Sequence, residues 1–257
     1  MRLKTKIEQA LQKIAKRENI EILYAVESGS RAWGFPSKDS DYDVRFLYRR
    51  KKDWYLKLEK TTDHLEFPID EQLDICGWDL DKTLRLLQKS NPALLEWLNS
   101  PIIYHEKPQF SKELRCLSDK NIDEQRLIYH YLHMAEGNYR EFLRKEYVRI
   151  KKYFYVLRPV LACMWIKEYQ QRPPVEFERL LALPGLSLEL LKVIDDLLVR
   201  KMRGDELDLE LAIPQLNTFL TEQLDFFTEY VKELDKYPRI DSAELNAFFL
   251  KWVEEKQ

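Results

Sequence analysis

Leu3, Ile7, Leu11 and Ile14 recur three to four residues apart, the spacing of one helix face, and predict an amphipathic helix over residues 3–17. The period then changes. Asn19–Ser28 (NIEILYAVES) is dense in Ile, Leu, Tyr and Val, which predicts a buried strand running straight into the turn pair Gly29-Ser30. The polar loop Pro36–Ser40 separates it from a second predicted strand, Asp41–Tyr48, and a third is predicted at Gln72–Trp78. Pro68 limits any strand near Glu66–Ile69 to a sheet edge, since it offers no amide to a ladder. Asp79 reads as the N-cap of a helix over Leu80–Gln88, and Asn91-Pro92 opens another with Pro at its first position.

Beyond about residue 106 the only glycines are Gly137, Gly185 and Gly204, and the helical period dominates. Long helices fit at 122–146, 150–170, 187–203, 215–235 and 241–255, with breaks at Pro173-Pro174 and Pro184-Gly185. There is no internal repeat. The pattern predicts an α+β chain: a small α/β half, then a helical half, with the boundary near 105–120.

Composition narrows the class. Of 257 residues 45% are hydrophobic and 33% charged, which excludes disordered and collagen-like chains. The longest apolar run, Val160–Ile166, is far short of the ~20 residues of a membrane-spanning helix. Cys76, Cys116 and Cys163 stand in no pairing or zinc-ligand spacing, so a reduced, cytoplasmic protein is expected. The net charge of −2 hides an asymmetry. Residues 138–158 hold seven Lys/Arg against two Glu, whereas residues 204–257 hold five against thirteen Asp/Glu. The first stretch suits a polyanion such as a triphosphate, or is a solvated helix face.

The chemistry concentrates in Glu27–Phe46, ESGSRAWGFPSKDSDYDVRF. Gly29 permits a tight turn with close backbone approach to a ligand, and Ser30 opens a short helix whose free amides favour phosphate. Asp41 and Asp43, two apart on a strand, direct both carboxylates to one face. Hard oxygen ligands without Cys or His suit Mg²⁺ together with substrate phosphates. A two-metal site needs a further carboxylate, and Asp70, Glu71 and Asp74 are available. Asp74 is favoured because a lone carboxylate within the apolar strand LDICGW is costly unless it is paired or holds a cation. Without one it reads as an edge-strand residue facing water.

Gly29-Ser30, then Asp41-x-Asp43, then a later strand carboxylate resembles the DNA polymerase β-like nucleotidyltransferase superfamily. The words GSRAWGF, SDYDVRF, GWDL, KSNP, EWL, SP and, later, Lys151–Pro159 (KKYFYVLRP) are similar to a bacterial family that includes polymerase-like proteins associated with RNA ligases in RNA repair. The resemblance spans roughly residues 20–170. It implies a small polymerase-β-like palm, a mixed sheet with flanking helices, over 1–110, and an all-helical domain over 111–257 closing on nucleotide and acceptor. It also implies that Asp41, Asp43 and Asp74 hold two Mg²⁺ ions (or Mn²⁺), and that Gly29 and Ser30 grip the phosphates of a nucleoside triphosphate. An acceptor hydroxyl would attack the α-phosphate, with an RNA 3′ end favoured over a protein or small molecule. Arg31 and Arg45 are candidates for the triphosphate, each with an ion pair to a nearby acid as the alternative. Lys151, Lys152, Tyr155 and Arg158 are candidates from the helical half, Lys151, Tyr155 and Arg158 sharing one helix face. The alternative class is a non-catalytic nucleotide-sensing or partner-binding protein on the same scaffold, which loss of a metal carboxylate would have marked. Oligomeric state is open.

Other signals are weaker. Phe35 stands where a Walker-type loop spaced from Gly29 and Gly34 needs Lys. His130 and His133 lack a third metal ligand, and Arg126 with His130 only loosely suggests a ribonuclease. Trp33 is placed to wall the phosphate turn.

Overall fold

Five strands form one mixed sheet: β1 (Glu21–Ser28), β2 (Tyr42–Arg49), β3 (His64–Glu66), β4 (Leu73–Asp79) and β5 (Ile103–Glu106), in spatial order β3-β4-β2-β1-β5. Only β2 and β4 run parallel; the other pairings are antiparallel. The computed structural model describes residues 3–59, 62–68, 72–120, 123–204, 209–235 and 241–255. The chain divides into two units. The first joins Met1–Ala32, Asp41–Asn121 and Arg239–Gln257; the second joins Trp33–Ser40 and Ile122–Pro238.

In the first unit, helix α1 (Leu3–Glu18) buries Ile7, Leu11 and Ile14 against Ala25 of β1, Val44, Phe46 and Tyr48 of β2, and Ile75 of β4. This is the predicted helix face meeting the alternating face of the strands. Gly77 of β4 lies so close to the Phe46 ring that a Cβ there would overlap it. Helices α2 (Gly29–Trp33), α3 (Lys52–Tyr55), α4 (Leu80–Gln88), α5 (Pro92–Leu98) and α6 (Pro108–Asp119) complete the segment before residue 121. Asp79 caps α4 by accepting from the Asp81 amide at 2.9 Å, and Asn91 caps α5 by accepting from the Leu94 amide at 3.1 Å. The Trp78 and Trp97 rings stack with centroids 3.7 Å apart, tying α5 to β4.

The second unit contains α7 (Glu124–Asn138), a π-helical turn (Tyr139–Leu143), β6 (Tyr147–Arg149), α8 (Ile150–Tyr169), α9 (Phe177–Leu180), α10 (Leu188–Arg203), β7 (Leu209–Leu211) and α11 (Pro214–Glu233). Helices α7, α8 and α11 pack together, and Phe35 inserts beside Phe154 and Phe177 at ring separations of 5.0 and 5.3 Å.

Three expectations change. The helix read at 122–146 is α-helical only to Asn138 and continues as the π-turn to Leu143; the bend at 144–146 then leads into the ribbon that 147–149 form with β7. The division is not one cut near 110. Helix α12 (Ser242–Glu254), read as part of the helical half, belongs to the first unit: buried Trp252 packs edge-on against Phe110 at 5.0 Å, and its carbonyl accepts from buried Arg49. Residues 33–40 belong to the second. The acidic C-terminus is partly spent on this docking, with Glu254 bound to Lys52 and Glu255 to Lys107, each at 2.7 Å. The α+β architecture, a sheet region followed by a helical part, is as expected. Among the described residues no helix is long and apolar enough to cross a membrane.

Candidate active site

Alternation along β2 sends Val44, Phe46 and Tyr48 into the α1 core, so Asp43, Arg45 and Leu47 occupy the opposite face. Because β4 runs parallel in the register Asp43–Asp74, Arg45–Cys76 and Leu47–Trp78, Asp74 stands directly beside Asp43 on that face, about 4.8 Å away by strand spacing. Arg45 clamps the pair. Its Nη2 donates to Asp43 Oδ1 at 2.8 Å and to Asp74 Oδ2 at 2.7 Å, and its Nη1 donates to the Asp74 carbonyl at 2.9 Å. Burial pushes the Asp43 carboxyl above its usual range; Arg45 pulls it back, and the negative charges of Asp74 and Asp41 push it up again. One guanidinium thus leaves this carboxylate group under-compensated.

The turn after β1 completes the arrangement. Gly29 adopts φ +61°, and a Cβ on it would collide with Asp43 Oδ2, so only glycine fits by both conformation and space. One Asp43 oxygen therefore lies on Arg45 and the other lies against the Gly29 turn. Ser30, half-buried, is the second residue of α2. Arg31 donates from Nε to the Asp41 carbonyl at 3.1 Å, and its guanidinium carbon lies 3.6 Å from the centre of the Tyr42 ring. It fixes the entry to β2. Asp41 itself is exposed and precedes the strand rather than sharing its alternation.

One residue escaped the sequence reading. Glu27, fully buried at the end of β1, accepts from the Asp43 amide at 3.0 Å and from the Tyr104 hydroxyl at 2.5 Å. Burial raises its carboxyl, with the two hydrogen bonds opposing. It holds the backbone that carries Asp43. Its signal was present in the sequence, a lone carboxylate within an apolar strand, the same one that singled out Asp74.

As donors, Asp43 and Asp74 suit a hard divalent ion: two oxygen ligands share a face, and one Asp43 oxygen is directed at a glycine turn rather than at Arg45. Among the described residues no three His, Cys, Asp or Glu side chains stand together in metal-holding positions. Asp70 and Glu71, the other acids weighed for this role, lie outside the described residues.

In the second unit, Lys151 and Lys152 are half-buried in the first turn of α8 and Tyr155 is exposed. The Lys152 ammonium lies 3.6 Å from the centre of the Phe142 ring and 4.8 Å from that of Tyr155. Arg158 is buried, its guanidinium 4.5 Å from the Trp33 ring centre. Trp33 and Arg158 therefore pack with each other inside their own unit.

A Bacillus subtilis protein described as the uncharacterized protein YcgL is 46% identical over 257 residues, covering 98% of this chain and 97% of its own. The crystal structure of a nucleotidyltransferase-like protein from Exiguobacterium sibiricum aligns over 98% of this chain and 81% of its own, at 13% identity and a TM-score of 0.32. Residues 3–251 match a single protein family from end to end, and the chain belongs to it: the RNA repair pathway DNA polymerase beta family.

Proposed function

We propose that the protein is a metal-dependent nucleotidyltransferase that joins a nucleoside monophosphate, taken from a nucleoside triphosphate, to an acceptor hydroxyl, with an RNA 3′ end as the favoured acceptor. The observation that carries this is the side-by-side placement of Asp43 and Asp74 with Asp43 Oδ2 against the Gly29 turn. The family's description as an RNA repair polymerase supports the choice of acceptor.

Asp43, Asp74 and Asp41 would hold the divalent ions, Mg²⁺ by the hardness of the donors and Mn²⁺ as a substitute; such ions neutralise phosphate charge and make an acceptor hydroxyl more acidic. Gly29 and Ser30 bind the triphosphate through their backbone amides. The acceptor oxygen forms a bond to the α-phosphorus, the α–β bridging bond breaks, and pyrophosphate departs. Asp74 Oδ1, the oxygen that Arg45 does not bind, takes up the hydroxyl proton. Arg45 keeps the two carboxylates together, and Glu27 fixes the Asp43 amide, so little rearrangement accompanies reaction.

The test is incubation with each α-labelled nucleoside triphosphate and Mg²⁺, offering short RNA, cell protein and small-molecule acceptors separately. Label moving onto RNA is expected. Nucleotide binding with no label moved to any acceptor would favour the non-catalytic alternative.

A further inference from the structure

The π-helical turn, β6 and the first turn of α8 pack on one another, and with the bend at 144–146 they carry Arg140, Arg144, Lys145, Arg149, Lys151 and Lys152. Elsewhere in this unit several cations are matched: Arg126 binds Asp123 at 2.9 Å, Lys232 binds Glu229 at 2.7 Å, and Arg200 binds Glu210. Among the described residues Arg140, Arg144, Lys145, Arg149 and Lys151 enter no ion pair, and all but half-buried Lys151 are exposed. Three of the six cations sit at the N-terminal end of α8, which has no acidic residue in its first turn. There they oppose the positive end of the helix dipole, a placement that costs stability and that a bound anion relieves. Burial lowers the Lys152 ammonium below its usual range, and repulsion from Lys151 and Arg149 adds to this, with Glu141 opposing. The cations are interleaved with rings: Tyr147 is 52% exposed, enough to offer a stacking face, and Tyr155, which carries the Lys152 ammonium over its ring, is 37% exposed.

We propose that this surface, from Arg140 to Tyr155, docks the single-stranded RNA acceptor, with the cations on its phosphodiester backbone and Tyr147 and Tyr155 against its bases. The proposal rests on the reading of RNA as acceptor. A triphosphate concentrates its charge at one point, whereas these cations are spread over three successive elements, which suits a strand. Exposed aromatic faces between cations match the alternation of bases and phosphates in unpaired RNA, and an acidic peptide gives those faces nothing to stack on.

The experiment titrates a labelled, unstructured 12-nucleotide RNA with the full chain between 50 and 200 mM KCl. Wild type binds, with log affinity falling linearly in log salt. Arg144→Ala/Arg149→Ala lowers affinity on the order of tenfold at 0.1 M salt and makes the slope shallower by roughly 1.4, because each single-strand phosphate contact contributes ~0.7. Arg144→Lys/Arg149→Lys retains both, which separates lost charge from lost folding. Tyr147→Ala weakens binding and leaves the slope unchanged. The proposal is overturned if wild type does not bind, if the alanine pair binds RNA as wild type does, if a polyglutamate peptide of equal charge displaces the RNA as well as RNA does, or if that pair loses nucleotide affinity and keeps RNA. The acceptor reading fails separately: label moving only to protein or small molecules while RNA still binds here refutes that reading and leaves the surface standing.

Discussion

The two units handle charge in opposite ways. In the sheet unit, Asp43, Arg45 and Asp74 are part-buried, fixed by strand register and bonded to one another at 2.7–2.8 Å. In the helical unit, Arg140, Arg144, Lys145 and Arg149 are exposed on a π-turn, the bend after it and a short ribbon, without ionic partners among the described residues. The first arrangement is costly to disturb and holds atoms in place; the second tolerates change and attracts whatever carries opposite charge. Bond-making needs position, and long-range capture of a polyanion needs only sign and density. Under the proposed function, the difference gives the chemistry to the sheet and the capture of RNA to the helices.

The comparison breaks most visibly at Asp43. Asp43→Asn is expected to lower nucleotidyl transfer at least a hundredfold, on the order of 3 kcal/mol of barrier, while thermal unfolding stays at or above the wild-type midpoint because two like charges no longer face each other. Arg45→Met removes the internal cation instead. It is expected to lower stability by about 2 kcal/mol, discounted for partial exposure, and Mg²⁺ should restore more stability to this variant than to wild type in thermal melts. Gly29→Ala both strains the backbone and displaces Asp43 Oδ2, so turnover should fall on the order of tenfold with a melting point a few degrees lower.

An effect confined to pH dependence sharpens the contrast away from the site. Asp79 is buried, and burial raises its carboxyl to about 6, the Asp81 amide and Tyr55 hydroxyl opposing. A folded pKa above the unfolded 3.8 means that the native state holds the proton more tightly, so stability falls as pH rises from 3.8 to 6. Asp79→Asn keeps a good cap and removes this dependence. It should equal wild type below about pH 3.8 and exceed it above pH 6 by on the order of 3 kcal/mol, read from urea unfolding at several pH values; an unchanged pH dependence would refute it.

Much of the sheet unit was legible in sequence because period and caps act locally: the α1 stripe, the β1 and β2 runs, and the Asp79 and Asn91 caps all stand where the pattern put them. Asp74 was singled out by the cost of a lone buried carboxylate, and register then placed it beside Asp43. Strands β5, β6 and β7 were missed because three or four residues carry no measurable period, and each exists by pairing with a distant partner. The docking of α12 was invisible for the same reason: it depends on Trp252 meeting Phe110. Arg158 shares its helix face with Lys151 and Tyr155, yet face-sharing cannot distinguish a side chain over Trp33 from one facing solvent.

Most direct for the central claim is a paired labelling measurement. Wild-type protein is given short RNA and Mg²⁺ with a nucleoside triphosphate labelled either at the α- or at the γ-phosphate. The account predicts that α-label appears at the RNA 3′ end, γ-label leaves with pyrophosphate, and both signals vanish in Asp74→Asn. Label transferred from the γ-position, or α-label transferred undiminished by Asp74→Asn, would contradict it.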